Sequence, residues 1–247
     1  MNAHVLGKST PNAVLRAIPP SALARLSASI ERVELKRGAV LHRFRQPVKR
    51  LYFVERGQVS LLRGMRDGRT VEVAFVAKYG VTAPEAVLGP RTALLDSVVQ
   101  IPGWAVAVDK EDLERIVADC RDTRWVFEQY LHVILDRLAQ CAACNRLHSL
   151  EERCSRWLLI NLDAAEADSF PLTHEFLSQM LGTQRPGVTL ALNELQLAGF
   201  IRHRRGTITI LDRGGLEARS CECYERLNTR NFPQLSHLRA AVAEGAL

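Results

Sequence analysis

Residues 172–201 constrain the fold of this chain more than any other segment. A short helix-like run ends near Gly182, and a second run begins after it with Gln184 and Arg185. Two helical runs joined by a glycine turn predict a helix-turn-helix. Such a unit presents its second helix to the major groove of DNA.

A basic hairpin follows this segment at once, over residues 201–210. Its strands alternate polar and apolar residues, and Arg202, Arg204 and Arg205 gather at its tip. A phosphate backbone could reach arginines in that place, so we expect them to set affinity and salt dependence more than sequence choice. Together the two features predict a winged helix, over residues 150–230, that binds double-stranded DNA.

Composition agrees with a globular chain of one or two domains. Of its 247 residues, 47% are hydrophobic and 24% are charged, which is unlike disordered or membrane-spanning chains. No apolar run is long enough to cross a bilayer and no secretory signal is visible, so we expect a cytoplasmic protein. The net charge of +6 favours an anionic partner. Phosphate-cradling loops, His-Glu-x-x-His pairs and nucleophile elbows are absent from the sequence, which argues against an enzyme.

Before the winged helix, the chain falls into further regions. Residues 1–20 form an N-terminal segment. Residues 21–118 are strand-like and punctuated by glycines, with a hairpin predicted at Asp67-Gly68. Many short strands with frequent turns are typical of a small barrel or β-roll. Residues 231–247 form a tail.

Residues 119–149 carry helical periodicity. Apolar side chains recur at alternating steps of four and three, a heptad seam that usually packs helix against helix. A buried Asn at such a position can fix the register of pairing. The pattern predicts a parallel homodimer; the alternative is a helix packed on its own β-domain. The expected seam residues are Phe127, Leu131, Ile134, Leu138, Cys141 and Asn145.

The order of β-roll, long helix and winged helix resembles the CRP/FNR family of bacterial transcription regulators. The resemblance rests on residues 35–38, 51–54 and 57–59 in the roll, and on residues 181–185 and 199–201 in the helix-turn-helix. It implies an α+β fold: a cyclic-nucleotide-binding-like β-roll, a long dimerisation helix and a C-terminal winged helix-turn-helix. It also implies a homodimer that reads an inverted repeat, with RNA polymerase as a further partner.

The same resemblance assigns roles along the second helix of the motif. Arg185 corresponds to the base-reading arginine of the family, and a guanidinium can pair in a bidentate manner with guanine. Gln184 could pair with adenine, Thr189 could touch a thymine methyl group or a phosphate, and Thr183 is expected at a phosphate. Pro186 and Leu190 stand where relatives often carry Glu and a second Arg, so the target sequence cannot be carried over.

The resemblance also suggests ligand-binding residues in the β-roll. Cyclic-nucleotide-binding relatives hold the ribose with a Gly-Glu pair and the phosphate with an Arg followed by a small hydroxyl residue. The candidates are Glu85, Arg91 and Thr92, but Glu85 follows Pro84 and stands too close to Arg91 in sequence. Other alignments place Ala93 or Asp96 at the arginine position. We therefore expect no control by cyclic AMP and a roll that serves as a scaffold or holds another small molecule.

Six cysteines remain to be explained: Cys120, Cys141, Cys144, Cys154, Cys221 and Cys223. None lies in residues 1–20, so the N-terminal iron–sulfur mechanism of the family's oxygen sensors does not carry over. We predict no cofactor, although Cys141 and Cys144, at i and i+3, could bind a metal or an iron–sulfur cluster with Cys154. Cys221 and Cys223 would point apart on a helix. A second hypothesis is therefore a redox-sensing or small-molecule-sensing module whose C-terminal domain contacts protein rather than DNA.

Overall fold

A computed structural model describes residues 10–26 and 30–227, and the chain divides into two compact units. The first unit contains the described residues up to Leu61 together with Phe75–Asp136. The second contains Leu62–Ala74 and the described residues from Arg137 onward. The predicted tail, 231–247, and the first part of the predicted N-terminal segment lie outside the described residues.

The first unit is the β-roll that the sequence predicts. Its main sheet has the strand order β1-β5-β3-β4, and β2 also pairs with β5. Antiparallel β1 and β5 pair from Ile30 opposite Val108 to Leu35 opposite Gly103. The elements up to residue 119 are α1 (Ala13–Ala17), α2 (Pro20–Ala24), β1 (Ile30–Leu35), β2 (Val40–His42), β3 (Arg50–Gly64), β4 (Thr70–Ala77), a 3₁₀ turn (Pro84–Val87), β5 (Asp96–Asp109) and α3 (Lys110–Asp119). The end of β3 from Leu62 and the start of β4 up to Ala74 belong to the second unit.

Two glycines allow β3 and β5 to approach closely. Gly57 has a φ of +88°, and a Cβ placed there would lie 2.5 Å from the carbonyl oxygen of Ile101. A Cβ on Gly103 would strike the backbone of Arg56. A side chain at either position would therefore push the strands apart, which explains why the roll needs glycine here.

The long helix α4 (Arg121–Leu147) corrects the predicted dimer seam. Phe127, Ile134 and Cys141 are 0%, 8% and 5% exposed, so they are buried within their own chain. The Phe127 ring packs edge-on against Phe53 of β3, with centroids 6.4 Å apart. The alternative of a helix packed on its own β-domain therefore holds at Phe127.

The other half of the seam stays accessible. Leu131, Leu138 and Asn145 are only half-buried, and Leu135, outside the predicted seam, is 59% exposed. With Ala142, which is also exposed, these residues repeat at steps of four and three. The helix thus carries an accessible heptad stripe, rotated from the predicted one and defined by Leu131, Leu135, Leu138, Ala142 and Asn145.

The second unit is a winged helix. A capping box between Ser149 and Glu152 begins α5, whose Trp157 packs against Phe170 and Phe176 in the core. A three-stranded sheet with the order β6-β8-β7 completes it. The elements are α5 (Leu150–Ala165), β6 (Ser169–Pro171), α6 (His174–Leu181), α7 (Arg185–Leu197), β7 (Ile201–Arg204), β8 (Thr207–Ile210), α8 (Arg213–Ala218) and α9 (Cys223–Leu227). Within the described ranges, no helix is long and apolar enough to span a membrane.

Candidate nucleic-acid interface

The turn between α6 and α7 has the geometry that the sequence predicts. Gly182 ends α6 in the left-handed conformation, with a φ of +60°, and its N–H donates to the Gln179 carbonyl at 3.2 Å. Only glycine adopts this conformation without steric cost. The chain then enters α7 at Arg185, with Gln184 as the N-cap residue.

The first turn of α7 is exposed on one side and anchored on the other. Gln184, Arg185 and Pro186 are exposed, whereas Val188 and Leu195 are fully buried. Pro186 is accommodated in this turn because the N–H that it lacks would have no partner inside the helix. A rigid helix start that carries an accessible guanidinium is the arrangement that reading base edges requires.

Leu190 is a second accessible group on α7. It is 65% exposed and lies one turn after Pro186, on the same face of the helix. Sequence reasoning treated Leu190 only as a departure from the family pattern. An exposed apolar side chain on this face is suited to the methyl group of thymine.

Thr189 makes hydrogen bonds within the protein. It is half-buried, and its hydroxyl lies 2.8 Å from Nδ1 of His174 and 3.0 Å from the carbonyl oxygen of Arg185. The hydroxyl therefore already has partners in α6 and α7. A contact between Thr189 and DNA stays a prediction.

His203, which the sequence suggests is a simple surface residue of the wing, is instead half-buried and stacked on His174. The ring centroids are 4.7 Å apart, and His174 Nε2 lies 3.1 Å from His203 Nδ1. The Thr189 hydroxyl donates to the Arg185 carbonyl and can accept from His174 Nδ1, and His203 Nε2 lies 3.3 Å from the Leu172 carbonyl oxygen. This chain of hydrogen bonds ties α6, α7 and the wing together.

Burial favours the neutral form of His174. It lowers the pKa of His174 below its ordinary value, and positive charge on His203 or Arg185 lowers that pKa further. A proton on His174 would place two cations near each other in a partly desolvated site. Its position beside Arg185 therefore favours the neutral form of His174.

The wing presents its arginines at a tight turn. Arg204 pairs with Thr207, and the connecting residues Arg205 and Gly206 have φ values of +50° and +73°. Positive φ at both central residues defines a type I′ turn, whose twist matches that of the paired strands. Arg202, Arg204 and Arg205 are all exposed. Thr183, in the turn before α7, is half-buried and donates its N–H to the Ser178 carbonyl.

The candidate ligand residues of the β-roll differ in their contacts within the protein. Glu85 lies in the 3₁₀ turn, where its carboxylate accepts the N–H of Leu94 at 3.1 Å and burial raises its pKa. Arg91 is mostly exposed, with Nε 3.6 Å from a carboxylate oxygen of Glu114. Thr92 forms an antiparallel bridge with Pro47. The carboxylate of Glu114 lies beside the Arg91 guanidinium and would repel the phosphate of a ligand bound there.

The cysteines group differently from the sequence-based expectation. Burial raises the pKa of Cys141 to about 11 and that of Cys154 to about 12, so both thiols stay protonated. Of the three expected candidates, only Cys144 joins a cluster of possible metal ligands. Its companions are His148, Cys221 and Cys223.

The local backbone explains this difference. Cys223 is the first residue of α9, and Cys221 precedes that helix. The two side chains therefore do not diverge as they would inside a helix, and both reach Cys144. The i and i+4 spacing of Cys144 and His148, which brings them together at the end of α4, was the signal that sequence reasoning missed.

Comparison with known proteins agrees with this architecture. The family model of the cyclic nucleotide-binding domain matches residues 32–120, and that of the Crp-like helix-turn-helix domain matches residues 152–219. A CRP-like cAMP-activated global transcriptional regulator of Mycobacterium tuberculosis is 25% identical over 221 residues, which cover 84% of this chain and 96% of that protein.

Solved structures give the same result for the fold. A transcriptional regulator of the CRP/FNR family from Eubacterium rectale superposes with a TM-score of 0.68 at 18% identity, covering 83% of this chain and 96% of that one. FixK2 from Bradyrhizobium japonicum gives 0.64 at 19% identity, covering 78% and 98%. The Mycobacterium tuberculosis and Eubacterium rectale relatives are described as transcriptional regulators. With its β-roll followed by a helix-turn-helix DNA-binding domain, the chain belongs to the CRP/FNR family of transcription regulators.

Proposed function

We propose that this regulator works in the cytoplasm as a homodimer that reads an inverted repeat in double-stranded DNA. The observation that carries the proposal is the exposed first turn of α7, where Arg185 stands on a helix whose opposite face is buried. One such helix from each subunit would enter successive major grooves. Half-sites would then be spaced by about one DNA turn, roughly 34–36 Å.

Base reading and backbone binding fall to different residues. Arg185 would pair with guanine and Gln184 with adenine, while Leu190 supplies an apolar contact to thymine. Arg202, Arg204, Arg205 and Thr183 would bind phosphates, which position the protein without reading sequence. Thr189 would act chiefly by bracing α7 through His174.

The accessible heptad stripe of α4 supports a homodimer. Its residues repeat at heptad spacing, and Leu135 is 59% exposed in the single chain. Leucines at such positions stabilise paired helices by packing into each other's gaps. The half-buried Asn145 lies at the end of the stripe, where it would fix the register.

Control by cyclic AMP is not part of this proposal. The Mycobacterium tuberculosis relative is described as cAMP-activated, but the family's phosphate-gripping arginine has only Arg91 as its counterpart here. That guanidinium pairs with Glu114, and Glu85 is engaged with the backbone of Leu94. We expect RNA polymerase to be a further partner, as in the family at large.

Selection of bound sequences from a random duplex pool, with purified protein and no added nucleotide, tests the proposal. An enriched inverted repeat is the expected result. Enrichment only when cyclic AMP is added would overturn the proposed independence from that ligand. If a folded dimer enriches nothing in either condition, the C-terminal domain contacts protein rather than DNA, which is the alternative function.

A further inference from the structure

Four metal-ligating side chains meet in the second unit, and none of them belongs to the helix-turn-helix. Cys144 lies in the last turn of α4 and His148 directly follows that helix, whereas Cys221 precedes α9 and Cys223 begins it. One ligand atom from each residue lies within 4.8 Å of the other three. All three cysteines are buried and His148 is half-buried.

We propose that these residues bind one zinc ion through the thiolates of Cys144, Cys221 and Cys223 and the Nδ1 atom of His148. A set of three cysteines and one histidine fills a tetrahedral zinc site and leaves no open position, as in structural zinc sites. Thiolate and imidazole ligands also select against magnesium and calcium, which prefer oxygen.

The distances suit a single ion. With zinc–sulfur bonds of about 2.3 Å, the sulfur atoms of a tetrahedral site lie about 3.8 Å apart. The Sγ atoms of Cys144 and Cys221 are 3.6 Å apart, and Cys223 Sγ is 3.6 Å from His148 Nδ1. An iron–sulfur cluster divides its four protein ligands between two or four iron atoms, so ligands on different irons are held farther apart by its core.

The neighbours of the four ligands are arranged as a metal site requires. His148 Nε2 lies 3.1 Å from a carboxylate oxygen of Glu222. A ligating histidine commonly donates its other ring N–H to such a group, which fixes the tautomer and leaves Nδ1 for the metal. Gln140 Nε2 lies 2.9 Å from Cys223 Sγ and can donate to it.

The charge balance also fits. Three thiolates and one Zn²⁺ carry a net charge of −1, which is costly to bury alone. The guanidinium of Arg156 is 4% exposed and interacts electrostatically with Cys144 and Cys221. Its Nε atom has no hydrogen-bond partner among the described residues.

The ion would join two segments that flank the winged helix in sequence. Cys144 and His148 precede α5, whereas Cys221 and Cys223 follow α8. Metal coordination here would link the two ends of the DNA-binding domain. Metal binding then contributes directly to folding, because the unfolded chain does not hold the four ligands together.

Metal analysis of the purified full-length protein tests the proposal. We expect one zinc per chain by elemental analysis, and X-ray absorption at the zinc edge should count three sulfur ligands and one nitrogen. Exchange with Co²⁺ should give the intense visible bands of tetrahedral cobalt with thiolate-to-cobalt charge transfer. Because these measurements use the unaltered chain, they do not depend on a variant that folds.

Variants then identify the ligands. Cys221→Ser and Cys223→Ser should each lower zinc content at least tenfold, and Cys120→Ser, which alters a cysteine outside the cluster, should leave it at one. Circular dichroism checks that each variant is folded. The proposal is overturned by a metal-free wild type with a Cys144–Cys221 disulfide or free thiols, by iron with acid-labile sulfide, or by full zinc retention in folded Cys221→Ser and Cys223→Ser.

Discussion

Arg185 stands at the first position of α7, exposed and directly after the N-cap residue. Replacing Arg185 with Ala should relax base choice at one base pair in each half-site. The expected loss is about 1–3 kcal/mol of discrimination against the wrong base, the usual contribution of a bidentate pair. Binding to a set of duplexes that vary at single positions measures it.

The matched control for Arg185 is Arg204, an exposed arginine of the wing. Arg204→Ala should weaken binding to all duplexes by a similar factor, because phosphates carry no sequence information. If Arg185→Ala also weakens all duplexes alike, Arg185 contacts phosphate and another residue reads that base pair.

His42 is a buried histidine that should make the stability of the β-roll depend on pH. Its Nε2 lies 2.9 Å from the Thr82 hydroxyl, and burial lowers its pKa from 6.5 to about 4. The unfolded chain therefore binds a proton before the folded chain does. Neutral His42 therefore makes its full contribution to the free energy of unfolding above about pH 6.5, and this contribution is lost as the pH falls toward 4.

We expect the free energy of unfolding to fall by about 2–3 kcal/mol between pH 7 and pH 4.5, because each unit by which the pKa of His42 is lowered corresponds to about 1.36 kcal/mol. Urea titrations of wild type and His42→Gln at both pH values measure it, since glutamine does not titrate. His132→Gln removes an exposed histidine and should keep the wild-type pH dependence. An equal loss in wild type and His42→Gln would show that other groups cause it.

At the scale of the helix, the two sides of α4 have different roles: one is buried within the chain and the other is available for pairing with a second subunit. Leu135→Asp should convert the dimer to a monomer without unfolding it, because Leu135 is 59% exposed and a carboxylate cannot be buried between paired helices. Ile134→Ala should instead lower stability by about 2–5 kcal/mol and leave the dimer intact, since it removes buried methyl groups. Sedimentation velocity and urea unfolding distinguish the two. A dimeric Leu135→Asp would exclude the accessible stripe as the interface.

This helix also shows how far the sequence could predict the structure. The four-and-three spacing correctly indicated a long helix, because periodicity is a local property of the chain. It could not indicate which side the chain's own core would cover, since that depends on distant residues such as Phe53. The glycine turn at Gly182 and the wing turn at Gly206 were predictable for the opposite reason: their backbone angles are fixed locally.

Contacts between distant segments were the hardest to predict at the scale of the whole molecule. Cys144 and Cys221 lie 77 positions apart in sequence, yet their sulfur atoms are 3.6 Å apart. Cys141 was the nearer and more obvious partner for Cys144. Only the path of the chain through the winged helix, with Cys221 outside any helix, brings the correct residues together.

The number of subunits on DNA can be measured from the salt dependence of binding by the whole regulator. Each phosphate contact contributes about 0.9 to the slope of log affinity against log salt concentration, because binding releases condensed cations. Arg204→Ala removes one contact from each bound subunit. The slope should therefore fall by about 1.8 for a dimer with both wings engaged, and by about 0.9 for one engaged wing.

The control is Arg43→Ala, which alters an exposed arginine of the β-roll and should not change the slope. An unchanged slope for Arg204→Ala would exclude the wing from the DNA interface. A fall of about 1.8 would mean that both subunits bind at once, as an inverted repeat requires.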